Sequence, residues 1–145
     1  MNQQLSEQEL IDKIKKDWTF FVDLQHYSDE IRHSEAVQIA AVQRSPNVLS
    51  KIPNPSVAVQ LAAIRAFPKQ ALFYIKNPCE QAINESLSKC GWTYAALAHP
   101  LEADAILAVQ QDGDVFSIVD FDSDVVIEAA LRQKPEAIRF MGRNP

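Results

Sequence analysis

Small residues recur inside helix-like runs at Ala41, Ala63, Ser86, Ala108 and Ala130, in steps of 22, 23, 22 and 22. Each is followed by a branched aliphatic residue, in order Val42, Ile64, Leu87, Val109 and Leu131. Five residues after each small anchor stands a helix breaker: Pro46, Pro68, Gly91, Gly113 and Pro135. A second breaker column follows at Pro55, Pro78, Pro100 and Pro145, with Asp122 in the fourth repeat. The chain has 3 Gly and 8 Pro, and nine of these eleven fall in the two columns, so the breakers punctuate a repeat.

Each unit reads as a first helix of about ten residues, a break, a shorter second helix and a turn. In SVAVQLAAIRAF the apolar positions Val59, Ala62, Ala63 and Ile64 recur at helical spacing, so one face is buried. Proline at the break removes a backbone donor and disfavours helix in the residue before it. The second helix is marked by Val48-Leu49, Ala71-Leu72, Val115-Phe116 and Ala137-Ile138. Ser34, Ser56, and Ser123 or Asp122 sit where an N-cap is wanted. No unit this short buries its apolar face alone, so the units must stack. The expected fold is therefore all-α: an α-solenoid of about five 22-residue two-helix repeats over residues 34–145, with a divergent N-terminal helical cap over residues 1–33. In the cap, Ile14 to Trp18 mimics Val42 to Pro46, with Trp18 in the breaker position.

The units with A-V-Q-x-A-A-V, then P or G, and then A-L-x-x-I-x-N-P resemble short two-helix repeats of uncharacterised bacterial and phage proteins grouped as a domain of unknown function. More distantly they are similar to leucine-rich repeat variants, which alternate an α-helix with a short 3-10 helix. The resemblance covers Ser34 to Pro145 and is most specific in Ser56 to Pro78. It implies an α-solenoid without enzymatic activity and supplies no catalytic residues. The third unit departs from it, with Asn84 and Glu85 where aliphatic or small residues are expected.

A length of 145 residues with 47% hydrophobic content suits one domain that buries roughly two thirds of its surface. The polar start and the absence of a long apolar run lead us to expect a soluble, cytoplasmic protein with no membrane segment. Cys79 and Cys90 lie eleven residues apart on one predicted helix, about 16 Å, which exceeds what a disulfide spans. They are read as reduced thiols.

The formal charge of −5 is localised. Residues 1–89 sum to zero, residues 90–131 carry eight acids and no Lys or Arg, and the tail from Arg132 is +3. The acids Glu102, Asp104, Asp112, Asp114, Asp120, Asp122, Asp124 and Glu128 fall at turns and helix starts, and stacking is expected to gather most of them in one region. Such a field attracts basic surfaces and repels nucleic acid, although a solvated face is the usual fate of a charge run. Asp104 is anomalous, because the matching positions hold Val37, Val59, Ala82 and Val126.

Other chemistry is weaker. His26 and His33 flank Asp29 and Glu30, but their spacing matches no helical zinc motif, and a surface or capping role is preferred. DFDSDVVIE alternates acids as a calcium loop does, yet Val125 stands where that loop needs Gly and Leu131 where it needs Glu, which favours a helix cap. No phosphate loop, HExxH or GxSxG occurs. No metal or cofactor is called for. Among the aromatics, Tyr74 and Trp92 are expected to reach the surface, where aromatics anchor interfaces.

These features together point to a non-enzymatic protein-binding module that engages a basic partner protein through Tyr74, Trp92 and the acidic residues, without binding nucleic acid directly. An inhibitor or decoy of a nucleic-acid-binding protein, such as a phage counter-defence or immunity protein, fits that description. The alternative is a structural subunit acting by self-association.

Overall fold

Six α-helices of ten residues each set the framework: α1 (Glu7–Lys16), α3 (Glu35–Arg44), α4 (Val57–Ala66), α5 (Glu80–Lys89), α6 (Glu102–Gln111) and α7 (Asp124–Gln133). The computed structural model describes residues 5–17, 20 and 23–141, so the readings made on Trp18 and Pro145 lie outside the described residues. The described residues are helical and turn, without strand, and none of their helices is long and apolar enough to cross a membrane. A one-turn helix α2 (Asp29–Arg32) and the 3-10 turn η1 (Leu24–His26) lie between α1 and α3.

Helices α3 to α7 start at intervals of 22, 23, 22 and 22 residues, the period of the small anchors. Side-chain caps fix the starts of α1, α3, α4 and α7. The hydroxyls of Ser34, Ser56 and Ser123 accept from the backbone N–H of Val37, Val59 and Val126 at 3.2, 3.2 and 3.4 Å. Ser123, not Asp122, is thus the cap of α7. Ser6 and Glu9 form a complete capping box on α1. Capping hydroxyls also reach backward: Ser34 Oγ donates to Glu7, and Ser56 Oγ donates to Glu35 Oε2 at 2.6 Å, which ties each helix start to that of the helix before it.

Four of the ends are equally uniform, while Phe67 after α4 has φ −134° and ψ 71°. The residues after α3, α5, α6 and α7, Ser45, Cys90, Asp112 and Lys134, all have φ near −150° and ψ between 102° and 121°. That extended geometry is the one a following proline requires, and it is kept where the following residue is Gly91 or Gly113. The chain then enters 3-10 helices η2 (Pro46–Lys51), η3 (Ala71–Tyr74), η4 (Gly91–Ala96), η5 (Gly113–Ile118) and η6 (Pro135–Phe140). Cys79 and Cys90, free thiols, bracket α5 at its two ends.

The chain forms two compact units, residues 1–78 and 79–145. In the first, α1 packs on α3, α3 on α4, and η2 on η3, around the fully buried Leu10, Ile14, Val37, Val42, Val59, Ile64 and Leu72. In the second, α6 lies between α5 and α7, and η5 packs on η6, around Leu87, Val109, Val115, Phe116 and Val126. Burying each such side chain stabilises its unit by about 1.5–3 kcal/mol. Ala41, Ala63, Ser86, Ala108 and Ala130 are all 0% exposed, so the whole anchor column is buried.

Candidate functional site

The second unit places six of the eight acidic positions at its two ends. Asp112 and Asp114 sit just past the C-terminal end of α6, whereas Glu102, Asp120, Asp122 and Asp124 lie at or before the N-terminal ends of α6 and α7. Gln133, the last residue of α7, reaches Gly113 just beyond α6, so the two helices run side by side in the same direction. Ten residues of helix therefore separate the acidic groups by about 15 Å.

At the first end the acids are neutralised. Lys134 Nζ lies 2.9 Å from Asp114 Oδ2 and 3.4 Å from Asp112 Oδ1, and Arg139 Nη2 donates to Asp114 Oδ1 at 3.1 Å. Trp92 Nε1 donates to Asp112 Oδ2 at 3.0 Å, and the Asp114 N–H donates to Asp112 Oδ1 at 3.0 Å. The cations missing from residues 90–131 are thus returned by the tail, and Asp112 and Asp114 do not act as free charges. Partial burial opposes ionisation of Asp112, but the Asp114 N–H, the Trp92 indole and Lys134 outweigh it and hold its carboxyl below the usual range. The same contacts, led by the hydrogen bond to Asp114, hold the Lys134 ammonium above its ordinary value. Trp92 is 41% exposed, with its polar edge engaged and its face to solvent.

Two further acids have local partners. Asp104, at 8% exposure, turns its Oδ2 back to accept from the Leu101 N–H at 2.8 Å. Leu101 holds the cap position of α6 without a side-chain oxygen, and Asp104 supplies the other half of a capping box by accepting the cap residue's own N–H, which explains an acid in an apolar column. Glu128 pairs with Arg132 at 3.3 Å on the exposed side of α7.

Glu102, Asp120, Asp122 and Asp124 remain exposed, and none makes an ion pair among the described residues. Beside them in sequence stand the exposed apolar residues Leu101, Ile118 and Val125. Glu102 and Asp124 occupy first helical turns, where they also complement the dipole.

In the first unit Tyr74 is 39% exposed and its neighbour Phe73 55% exposed. Both line a groove of about 720 Å³ together with the turns around Asn54 and Asn77. Asn54 has φ 52°, a left-handed conformation that Asn tolerates better than most residues. No group of three or more His, Cys, Asp or Glu side chains positioned for a metal occurs among the described residues. His33 Nδ1 donates to the Asp29 carbonyl at 2.8 Å and His26 Nε2 lies 3.6 Å from Asp23, so each imidazole has a local contact.

Two features escape the sequence reading. Summing residues 1–89 to zero conceals a stretch from Ala36 to Cys79 with five basic residues, Arg44, Lys51, Arg65, Lys69 and Lys76, and no acid. The other is a glutamine ladder: the Gly91 N–H donates to Gln111 Oε1 at 2.7 Å and the Gly113 N–H to Gln133 Oε1 at 2.5 Å. A Cβ on Gly91 would meet the Ala108 carbonyl oxygen at 2.3 Å, and one on Gly113 the Ala130 oxygen at 2.6 Å. Glycine is needed there for close approach. In the first unit Arg44, at the same helical position as the two glutamines, instead donates to the Ile14 and Asp17 carbonyls at 2.6 and 3.1 Å. Comparisons with protein-family models, with curated proteins and with solved structures find no match to this chain.

Proposed function

We propose that the chain is an α-solenoid protein-binding module, not an enzyme, whose second unit engages a basic segment of a partner protein. The observation that carries this reading is the exposed group Glu102, Asp120, Asp122 and Asp124, free of ion pairs among the described residues and set beside Leu101, Ile118 and Val125. Carboxylates without internal partners keep their field for an incoming cation, and the adjoining apolar side chains give area that a purely ionic contact lacks. Occupying a basic surface in this way is how an inhibitor or decoy of a nucleic-acid-binding protein would act.

Affinity capture from host extract at low and high salt tests it, with two variants chosen to differ. Asp120→Lys with Asp122→Lys should abolish the salt-sensitive partners, because both side chains are exposed and neither caps a helix. Asp112→Asn with Asp114→Asn should retain them while lowering stability, because those acids already serve Lys134 and Arg139. Equal capture by the Asp120/Asp122 variant and the wild type would sink the reading.

Self-association is a second reading, favoured by one residue. Ile138 is 63% exposed, although Leu49, Leu72, Tyr94 and Phe116 in the same register are 2%, 1%, 4% and 2% exposed. Light scattering over a concentration series would show an oligomer that Ile138→Asp disperses, or a monomer that ends this reading.

A further inference from the structure

The 720 Å³ groove in the first unit meets a smaller depression of about 220 Å³ that shares Ile52 and Pro53 with it. Together they form a trough along η1, the end of α2 and the turns after η2 and η3. Its lining includes no Asp or Glu, but includes Lys76 at one end and Lys51 and Arg32 at the other. Arg32 pairs with Asp29, and its Nε–H is buried with no acceptor among the described residues. Phe73 and Tyr74 supply exposed aromatic surface, and the amides of Asn54 and Asn77 stand at the turns.

We propose that this trough is a docking site for an extended acidic peptide segment of a partner protein, carrying carboxylates near Lys51 and Lys76 and an apolar side chain against Tyr74 and Phe73. Charge complementarity selects this occupant. The stretch Ala36 to Cys79, which supplies the whole lining of the larger groove, carries five cations and no anion, and Asp29 beside the smaller depression is paired with Arg32, so an incoming carboxylate meets no like charge from the groove itself. A nucleic acid is disfavoured because binding it depends on neutralising many phosphates, whereas the trough holds three Lys or Arg in a chain of net charge −5. The proposal is independent of the acidic surface of the second unit.

The test is fluorescence anisotropy with the full chain and labelled peptides. One probe is the acidic nonapeptide copied from residues 117–125, a second is a scrambled peptide of the same composition, and the control replaces every Asp with Asn. Both acidic probes should bind, the Asn control should not, and added salt should weaken binding. Lys51→Glu with Lys76→Glu should weaken it by roughly tenfold or more, since like charges then face the ligand. Tyr74→Ala should weaken it several-fold while leaving the salt dependence unchanged. Lys51 and Lys76 are exposed, so circular dichroism should show the double variant folded. Failure of both acidic probes to bind, equal binding of the Asn control, indifference to the lysine reversal, or tighter binding of single-stranded RNA overturns the proposal. So does self-association in the ultracentrifuge that the lysine reversal abolishes, because the occupant would then be a second copy.

Discussion

Replacing Gln111 with Ala removes one rung of the glutamine ladder and little else. Gly91 is buried, and its N–H finds its acceptor 2.7 Å away in the Gln111 side chain, twenty residues later. Leaving a buried donor without a partner costs about 1–3 kcal/mol, toward the low end where water enters the gap. Alanine is also the better helix former, by a few tenths of a kcal/mol, which partly hides the loss. The neighbouring Gln110 is exposed, and Gln110→Ala gains the same propensity without breaking the rung, so the difference between the two variants isolates the hydrogen bond. Urea denaturation followed by circular dichroism should place Gln111→Ala about 1–3 kcal/mol below Gln110→Ala. Native-state hydrogen exchange should show the Gly91 amide losing protection in the first variant alone. If the two variants denature together and the Gly91 amide exchanges as in the wild type, the ladder is only a geometric coincidence.

Four other outcomes follow from the same unit. Gly91→Ala should destabilise by about 1–3 kcal/mol by calorimetry, because its Cβ would lie 2.3 Å from a backbone oxygen that cannot swing away. Ser86, fully buried, donates to Thr93 Oγ1 at 2.9 Å, so a double-mutant cycle of Ser86→Ala and Thr93→Val should give a coupling of about 0.5–1.5 kcal/mol; simple additivity would refute the pair. The depressed folded pKa of Asp112 means that its stabilisation holds above the ordinary carboxylate range and fades as pH falls through the folded value. The urea-midpoint gap between wild type and Asp112→Asn should therefore be full at neutral pH and close in acid, with Trp92 fluorescence titrating alongside. Tyr94 behaves oppositely: burial raises its phenol above 10.0, partly offset by the Asp120 backbone nearby, and its buried hydroxyl is without a hydrogen-bond partner among the described residues. The stabilisation tied to this shift is present below the ordinary tyrosine value and lost as pH rises through the folded one, so Tyr94→Phe should match the wild type at neutral pH and exceed it in alkali.

Helix positions were legible because their signals are local. Pro46, Pro68 and Pro135 stop helices by chemistry that needs no tertiary context, and Ser34, Ser56 and Ser123 cap them through their own backbone neighbours. Exposure of Tyr74 and Trp92 was anticipated from their crowded positions on short helices. The pairing of Asp112 and Asp114 was not, since Lys134 and Arg139 approach them only when the following helix folds alongside, 20 to 25 residues away. The role of Asp104 was hidden for a different reason: its signal is the missing oxygen of Leu101, which appears as an anomaly only once the cap position is known. Neither the division after Pro78 nor the trough leaves a periodic trace, because both arise from how side chains of distant turns meet.

The ladder also constrains how such a chain can be rearranged by duplication or deletion. A segment that breaks with Gly91 or Gly113 exports an obligation to its successor, whose helix must end in a glutamine: Gln111 or Gln133. One that breaks with Pro46 has no N–H to satisfy, and its successor ends in Ala66. Neighbours are therefore not freely exchangeable, and the sequence has a reading direction. Excising residues 90–111 in one block would place Ser86-Leu87-Ser88-Lys89 directly before Asp112-Gly113 and keep Gly113 with Gln133, whereas excising residues 112–133 would leave Gly91 with Gln111 and join Gln111 to Lys134-Pro135. Both cuts respect the grammar, and a cut between a glycine and its glutamine does not.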